Sequence, residues 1–206
     1  EINDFAVTVA QTALWISRLK ANGETDMLLS MGDDDFPLHE AAHIVHGNAL
    51  RMDWNEVLPA DECSFILGNP PFYGARLQSK QQKAEIQDVF HGSRNSGNVD
   101  YVAGWYMKAA EYMEEYPIRA AFVSTNSICQ GEQVANVWKP IYDLGVRIDF
   151  AHDTFRWRNE ATEQAHVFVV IVGFSKQGGT KTLFHHTTPD ATEEITNPIN
   201  INAYLL

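Results

Sequence analysis

Asn69, Pro70, Pro71 and Phe72 follow the apolar run Ser64-Phe65-Ile66-Leu67 and Gly68, and residues of these types in this order suit the handling of a flat amine. The run is short and sharply flanked, as a buried strand is, and the glycine lets the backbone turn at its end. Two consecutive prolines fix φ and remove two backbone donors, so the corner presents acceptors: the Asn69 side-chain oxygen and the Pro70 carbonyl. An exocyclic amine on a nucleobase is a poor nucleophile because its lone pair is delocalised into the ring. Two acceptors gripping its two hydrogens favour a more tetrahedral nitrogen whose lone pair can attack, and Phe72 offers a face on which the ring can lie. An ordinary Asn-Pro turn after a strand is the alternative that these four residues alone leave open.

Other residues suggest other chemistry. His39-Glu40-Ala41-Ala42-His43 matches the zinc-peptidase pattern in which two histidines one helical turn apart bind the metal and the glutamate activates water. That pattern needs a helix, yet Pro37 and Gly47 bracket a short segment, Ile44-Val45 lead towards a strand, and His46 follows too closely to be the third ligand. A loop with exposed histidines is expected instead, and no metal. Cys63 and Cys129 stand apart without metal-ligand spacing. Arg76, Lys80, Lys83 and Arg94 make a locally basic stretch, readable as a phosphate contact or flap, or as an exposed helix of mixed charge that includes Glu85 and Asp88.

The whole chain bounds these readings. Its 206 residues, 45% of them hydrophobic, suffice for about one domain with a sizeable core. A net charge of −12 argues against the entire surface being a nucleic-acid footprint, so any grip on DNA must come mostly from elsewhere. Nothing resembles a signal peptide or a bilayer-spanning run, and a reducing, cytoplasmic setting is expected. The chain opens on Glu1 directly before a helical pattern and reads as a piece cut from a longer protein.

The elements that must position the corner follow from periodicity. Phe5, Val9, Ala13 and Ile16 predict a helix from Ile2 to about Lys20 with one buried face, stopped at Asn22-Gly23. A second helix is expected over Tyr101–Tyr116, ended by Pro117, and a third from about Gly131 to Leu144. Strands are expected at Phe65–Leu67, Arg119–Ser124 with Thr125-Asn126-Ser127 at its tip, Val146–Ala151 and His166–Phe174. Alternating strands and helices imply an α/β sheet, mostly parallel, with ligands at the carboxyl ends of the strands. The last two strands, without a helix between them, predict an antiparallel hairpin at one edge. After Ser175 periodicity fades, so residues 1–175 are expected to form the domain and residues 176–206 an outgoing connection.

This order resembles the catalytic domain of gamma-type N6-adenine DNA methyltransferases, most closely the single-chain, MmeI-like restriction-modification enzymes. Asn69-Pro-Pro-Phe72 looks like motif IV of the amino-group methyltransferases, and the likeness covers nearly the whole chain. Glu1-Ile2, Phe5-Ala6 and Ala13-Leu14-Trp15 resemble the family's second motif and its helix, and Gly47 to Trp54 its third motif. Thr125-Asn126-Ser127-Ile128, Phe155-Arg156-Trp157 with Asn159-Glu160-Ala161, and Ile199 to Asn202 with Tyr204-Leu205 fall where the family's corresponding stretches lie.

The resemblance implies a Rossmann-like fold, incomplete at its N-terminus, and methyl transfer from S-adenosylmethionine to the N6 amine of an adenine flipped out of double-stranded DNA. It implies that Glu1 holds the cofactor ribose, that Asn48 and Ala49 sit at the cofactor adenine, that Asn69 and Pro70 hold the target amine with Pro71 stiffening the corner, and that Phe72 stacks on the base. Phe155, or alternatively Trp157, is the second face of the base clamp. The family's glycine-rich cofactor loop would precede Glu1, a target-recognition domain would begin near Leu206, and a nuclease domain is possible upstream. The fragment alone is therefore expected to bind S-adenosylmethionine weakly or not at all, and to be inactive. RNA adenine, cytosine N4 and protein glutamine remain alternative amines, and a non-catalytic methyltransferase-like module is the alternative from a different class.

Overall fold

The computed structural model describes residues 1–29, 43–93, 95–157, 167–187 and 193–206. These fall into two compact units, Glu1–Val57 and Leu58–Leu206. In the first, helix α1 (Asp4–Leu29) begins where Asn3 caps it, its side-chain oxygen accepting from the backbone of Phe5 at 2.9 Å and Ala6 at 3.2 Å. The helix runs on through Asn22-Gly23, because one interior glycine costs about 1 kcal/mol and does not by itself end a helix. The expected apolar stripe is present but not buried: Phe5 is 78% and Val9 50% exposed. Periodicity foretells the helix, whereas burial needs a facing layer that periodicity does not supply.

The second unit is built on a six-stranded sheet in the order β1-β2-β4-β3-β5-β6. Its strands are β1 (Phe65–Gly68), β2 (Arg119–Thr125), β3 (Arg147–Trp157), β4 (Val167–Ser175), β5 (Thr182–His186) and β6 (Glu193–Thr196). Strands β1, β2, β3 and β5 point one way and β4 and β6 the other, so the sheet is mixed and mostly parallel. Strand β1 stands at the margin of this sheet, and Phe65 and Leu67, expected in a buried strand, are 68% and 77% exposed.

The expected hairpin forms as β3 and β4, but it lies inside the sheet, β4 pairing with β2 on its other side. The antiparallel pair at the margin is β5 with β6, formed by residues 182–186 and 193–196, where an outgoing connection was expected. Both strands are short, and Lys181 secures the first by reaching Asp149 at 2.7 Å from a site where it is 9% exposed. The sheet interior admits one strand-centre glycine for a steric reason. Gly173 pairs with Phe150, whose ring covers it so closely that an added Cβ would lie 2.0 Å from a ring carbon.

Helices α2 (Lys80–Val89) and α3 (Ala103–Tyr112) connect β1 to β2. Helix α2 starts in a capping box formed by Ser79 and Gln82, so Lys80 and Lys83 of the basic stretch stand exposed on a helix; Arg94 lies outside the described residues. After β2 the chain enters a helix in three parts: α4 (Gly131–Gln133), a π-helical turn (Val134–Trp138) and α5 (Lys139–Asp143). Tyr106 of α3 is the centre of the core: it stacks on Phe174 at 5.2 Å and meets Phe122 and Trp138 edge-on. Its hydroxyl lies 2.5 Å from the buried Ser124 hydroxyl, which satisfies both.

Candidate active site

The parallel strands of the second unit deliver their carboxyl ends to one side of the sheet, and the acceptor-rich corner is there. Gly68 pairs with Phe122 at the end of β1, and Phe122's ring would lie 3.3 Å from a Cβ on that glycine. Beyond it Asn69 is exposed, Pro70 buried, Pro71 exposed and Phe72 half-buried. Burial of one proline between two exposed residues anchors the corner and leaves the Asn69 side chain exposed. Among the described residues, no hydrogen bond engages the Asn69 side chain or the Pro70 carbonyl. The exposed Asn69 amide is therefore open to a ligand.

The chain leaving the corner is held firmly. The Tyr73 carbonyl accepts from the Tyr101 backbone at 2.9 Å and from Gln78 Nε2 at 3.3 Å, and Gln78 Nε2 also donates to the Val99 carbonyl at 2.9 Å. Asp100, buried, accepts from the Ala75 backbone at 3.1 Å, Gln133 Nε2 at 3.1 Å, Thr125 Oγ1 at 3.2 Å and the Ser127 hydroxyl. Thr125, Asn126 and Ser127 form the tip of β2, as expected. The part played by Asp100 was not foreseen, since in sequence it reads only as the acidic residue before a helix.

Phe155 and Trp157 lie on β3 at the same end of the sheet. Val169 of β4 pairs with Thr125 on one side and Phe155 on the other, which sets Phe155 level with the tip of β2. Strand β3 is three inter-strand steps from β1, or ~14 Å at the usual spacing. Phe155 is half-buried, its ring 5.1 Å from that of His186 and 6.2 Å from that of His152, while Trp157 is 38% exposed. His152 in turn stacks on Phe184 at 4.2 Å. This aromatic group was not foreseen either, because half of it is contributed by β5.

Glu1, Asn48 and Ala49 belong to the first unit, where pairing brings Glu1 beside Val45 and Gly47. The Glu1 nitrogen donates to the Val45 carbonyl at 3.0 Å and the Gly47 nitrogen to the Glu1 carbonyl at 2.8 Å, the slanted pattern of parallel neighbours. Glu1 Oε1 accepts from the backbone of Ile2 and Asn3 at 2.9 and 3.1 Å, and Oε2 has no partner among the described residues. Asn48 Oδ1 accepts from the Leu50 backbone at 2.9 Å, closing its own turn and leaving the amide nitrogen for other contacts. The Ala49 carbonyl accepts from Trp54 Nε1 at 2.9 Å. A steadied carboxylate with one oxygen open can accept from vicinal hydroxyls, and the Asn48 amide can donate to a heterocycle edge.

His39 and Glu40 of the zinc-like pattern lie outside the described residues; His43 Nδ1 sits 3.1 Å from the Val57 carbonyl. Among the described residues no group of three or more metal-ligating side chains comes together, and no helix is long and apolar enough to cross a membrane. Burial pushes the Cys129 thiol up to about 12, so near pH 8 its thiolate fraction falls about three orders of magnitude below that of an ordinary cysteine. Iodoacetamide should therefore label the half-buried Cys63 in the folded protein and Cys129 only after denaturation. Peptide mass spectrometry showing equal native labelling of both would contradict the buried position.

Comparison with known proteins adds a second line. The family model described as MmeI, DNA-methyltransferase domain, matches residues 1–185. The chain is similar to DNA methyltransferase A of Bacillus subtilis (strain 168), 40% identical over 177 residues that make up 84% of this chain and 20% of that protein. Over its whole length it is similar to the solved Type IIL restriction-modification enzyme MmeI in complex with DNA, with a TM-score of 0.94 and 42% identity, covering 28% of that chain. It thus spans between about a fifth and three tenths of the length of these relatives.

Proposed function

Because the chain belongs to the MmeI DNA-methyltransferase domain family, we propose that within its full-length protein it transfers a methyl group from S-adenosylmethionine to the N6 amine of an adenine in DNA, in a restriction-modification setting. The observation that carries this reading is the exposed Asn69 amide beside a Pro70 carbonyl, neither engaged by another described residue, at the end of a parallel strand. Asn69 Oδ1 and the Pro70 carbonyl each accept one hydrogen of the amine, which localises the nitrogen lone pair. Pro71 holds the bend, and Phe72 lies against the base. Phe155, or alternatively Trp157, both on β3, takes the other face.

A base inside a duplex cannot reach such a corner, so the target nucleotide is flipped out before it binds. Bound S-adenosylmethionine supplies an electrophilic sulfonium methyl. The Glu1 carboxylate would hold its ribose hydroxyls, and Asn48 and the Ala49 backbone its adenine. The relative's solution in complex with DNA supports DNA as the substrate class.

The test uses the full-length protein, S-adenosylmethionine carrying a labelled methyl group, and unmethylated amplified genomic DNA, followed by digestion to nucleosides and mass spectrometry. Label in N6-methyldeoxyadenosine is the expected result. Label in N4-methyldeoxycytidine, label only in RNA or protein glutamine offered in parallel, or no incorporation at all would each overturn the assignment, the last in favour of a non-catalytic module.

A further inference from the structure

Resting on that reading of Asn69 and Phe72, we propose that Asp100 is a positioning residue that fixes the amine-holding corner against the tip of β2 and, through it, against the strand that carries Phe155. Asp100 is 6% exposed, and a buried carboxylate is tolerated only where donors surround it. Here the donors come from three separate segments. Oδ1 accepts from Ala75, three residues after Phe72, and from Gln133; Oδ2 accepts from Thr125 and Ser127 at the tip of β2. Gln133 closes a ring by accepting from the Asp100 backbone at 3.1 Å through Oε1 and donating to the Asn98 carbonyl at 3.2 Å through Nε2.

The neighbouring backbone strengthens the attachment. Tyr101, next after Asp100, donates to the Tyr73 carbonyl at 2.9 Å, so residues 100 and 101 grip the chain on its way out of the corner at two points. The entry side is already set by the pairing of β1 with β2. Between those restraints lie only Asn69, the two prolines and Phe72, and the prolines have little freedom in φ. Asn126, between the two hydroxyl donors, reaches Thr154 Oγ1 at 3.5 Å, the residue before Phe155. Asp100 therefore joins the two sides on which the proposed base clamp is built, without itself touching the base.

Charge is not what this arrangement uses. Every interaction is a bond from a donor of fixed or rotatable direction. An Asp100→Asn side chain of the same shape keeps Ala75 and Gln133 on its oxygen and turns its amide towards the Thr125 and Ser127 hydroxyls, which can accept. Asp100→Ala takes the acceptor from the Ala75 N–H and from the two hydroxyls, which lie 2.8 Å apart and keep only each other, and leaves Gln133 with the Asn98 carbonyl alone.

In the full-length protein, with unmethylated amplified genomic DNA as substrate, Asp100→Ala should lower the single-turnover methyl-transfer rate about 30- to 100-fold, since small misplacements of reacting groups cost that much. Affinity for S-adenosylmethionine and for DNA should stay within about threefold, and Asp100→Asn should restore the rate to within about fivefold of the parent. An unchanged rate in Asp100→Ala, a parallel loss of rate and both affinities, or failure of Asp100→Asn to rescue would overturn the proposal. Should Asp100→Ala not fold, Gln133→Ala, which removes one of the four bonds to the carboxylate together with those to the Asp100 backbone and the Asn98 carbonyl, should slow the same rate about 3- to 10-fold, and an unaltered rate there would count against it equally. Asn69→Ala run alongside separates the two readings. An active Asn69→Ala sinks the assignment of the corner, whereas an inactive Asn69→Ala with an undisturbed Asp100→Ala sinks only the role of Asp100.

Discussion

Asn69→Ala in the full-length protein should reduce single-turnover methyl transfer by about a thousandfold while leaving the denaturant midpoint almost where it was. The size follows from what the side chain would do: removal of one preorganised polar group aimed at a reacting centre costs roughly a hundred- to a thousandfold in rate. The small effect on stability follows from where it stands, because Asn69 is exposed and its amide makes no bond within the described residues that truncation could break. Surface substitutions of that kind stay within about 0.5 kcal/mol. Asn69→Asp refines the test by keeping an acceptor oxygen in place, and it should fall between Asn69→Ala and the parent. A retained rate in Asn69→Ala, or an alanine variant that outperforms the aspartate, would contradict acceptance of the amine hydrogens as the function of this side chain.

The largest loss of stability is expected from Tyr106→Ala, at about 4 kcal/mol, which is a large part of the total stability of an ordinary domain. Tyr106 has no solvent exposure, and its ring fills the space between Phe122, Trp138 and Phe174. Truncation leaves a cavity among three rings that are themselves held by the sheet and the helix, and strands the wholly buried Ser124 hydroxyl. Tyr106→Phe isolates the polar part, and about 1 kcal/mol should be lost. Guanidinium unfolding with an unchanged slope would measure both, and equal losses for the two variants would mean that the ring contributes nothing. Because Phe122 also lies against Gly68, loosening this cluster reaches the residue from which the corner springs.

Much of this architecture was legible from residue order. Strand β4 is a β-branched and aromatic run with sharp ends, β2 is a short apolar run between Pro117 and Asn126, and α3 repeats its apolar residues at helical spacing, so each announced itself locally. The bend after β1 was legible because two prolines after an asparagine permit few geometries. What stayed hidden depends on partners distant in sequence. Strand β5 reads Thr-Leu-Phe-His-His and has no strong pattern of its own; it becomes a strand because β3 offers it a parallel edge and Asp149 receives Lys181. The insertion of β4 between β2 and β3 is a choice of neighbour, which periodicity does not encode. Asp100 could not be picked out among the acidic residues, since its distinction lies in donors at positions 75, 125, 127 and 133 converging on it. The stripe on α1 carries the same lesson in reverse, for Phe5, Val9 and Ile16 satisfy the pattern and yet stand exposed.

The ring of Phe150 lying over Gly173 makes those two positions a single unit of inheritance. Any side chain at 173 must displace the aromatic group opposite, and any smaller group at 150 uncovers bare backbone, so tolerated sequence drift there should arrive as paired exchanges. A library built to diversify this sheet would do best to vary the two codons jointly or freeze both.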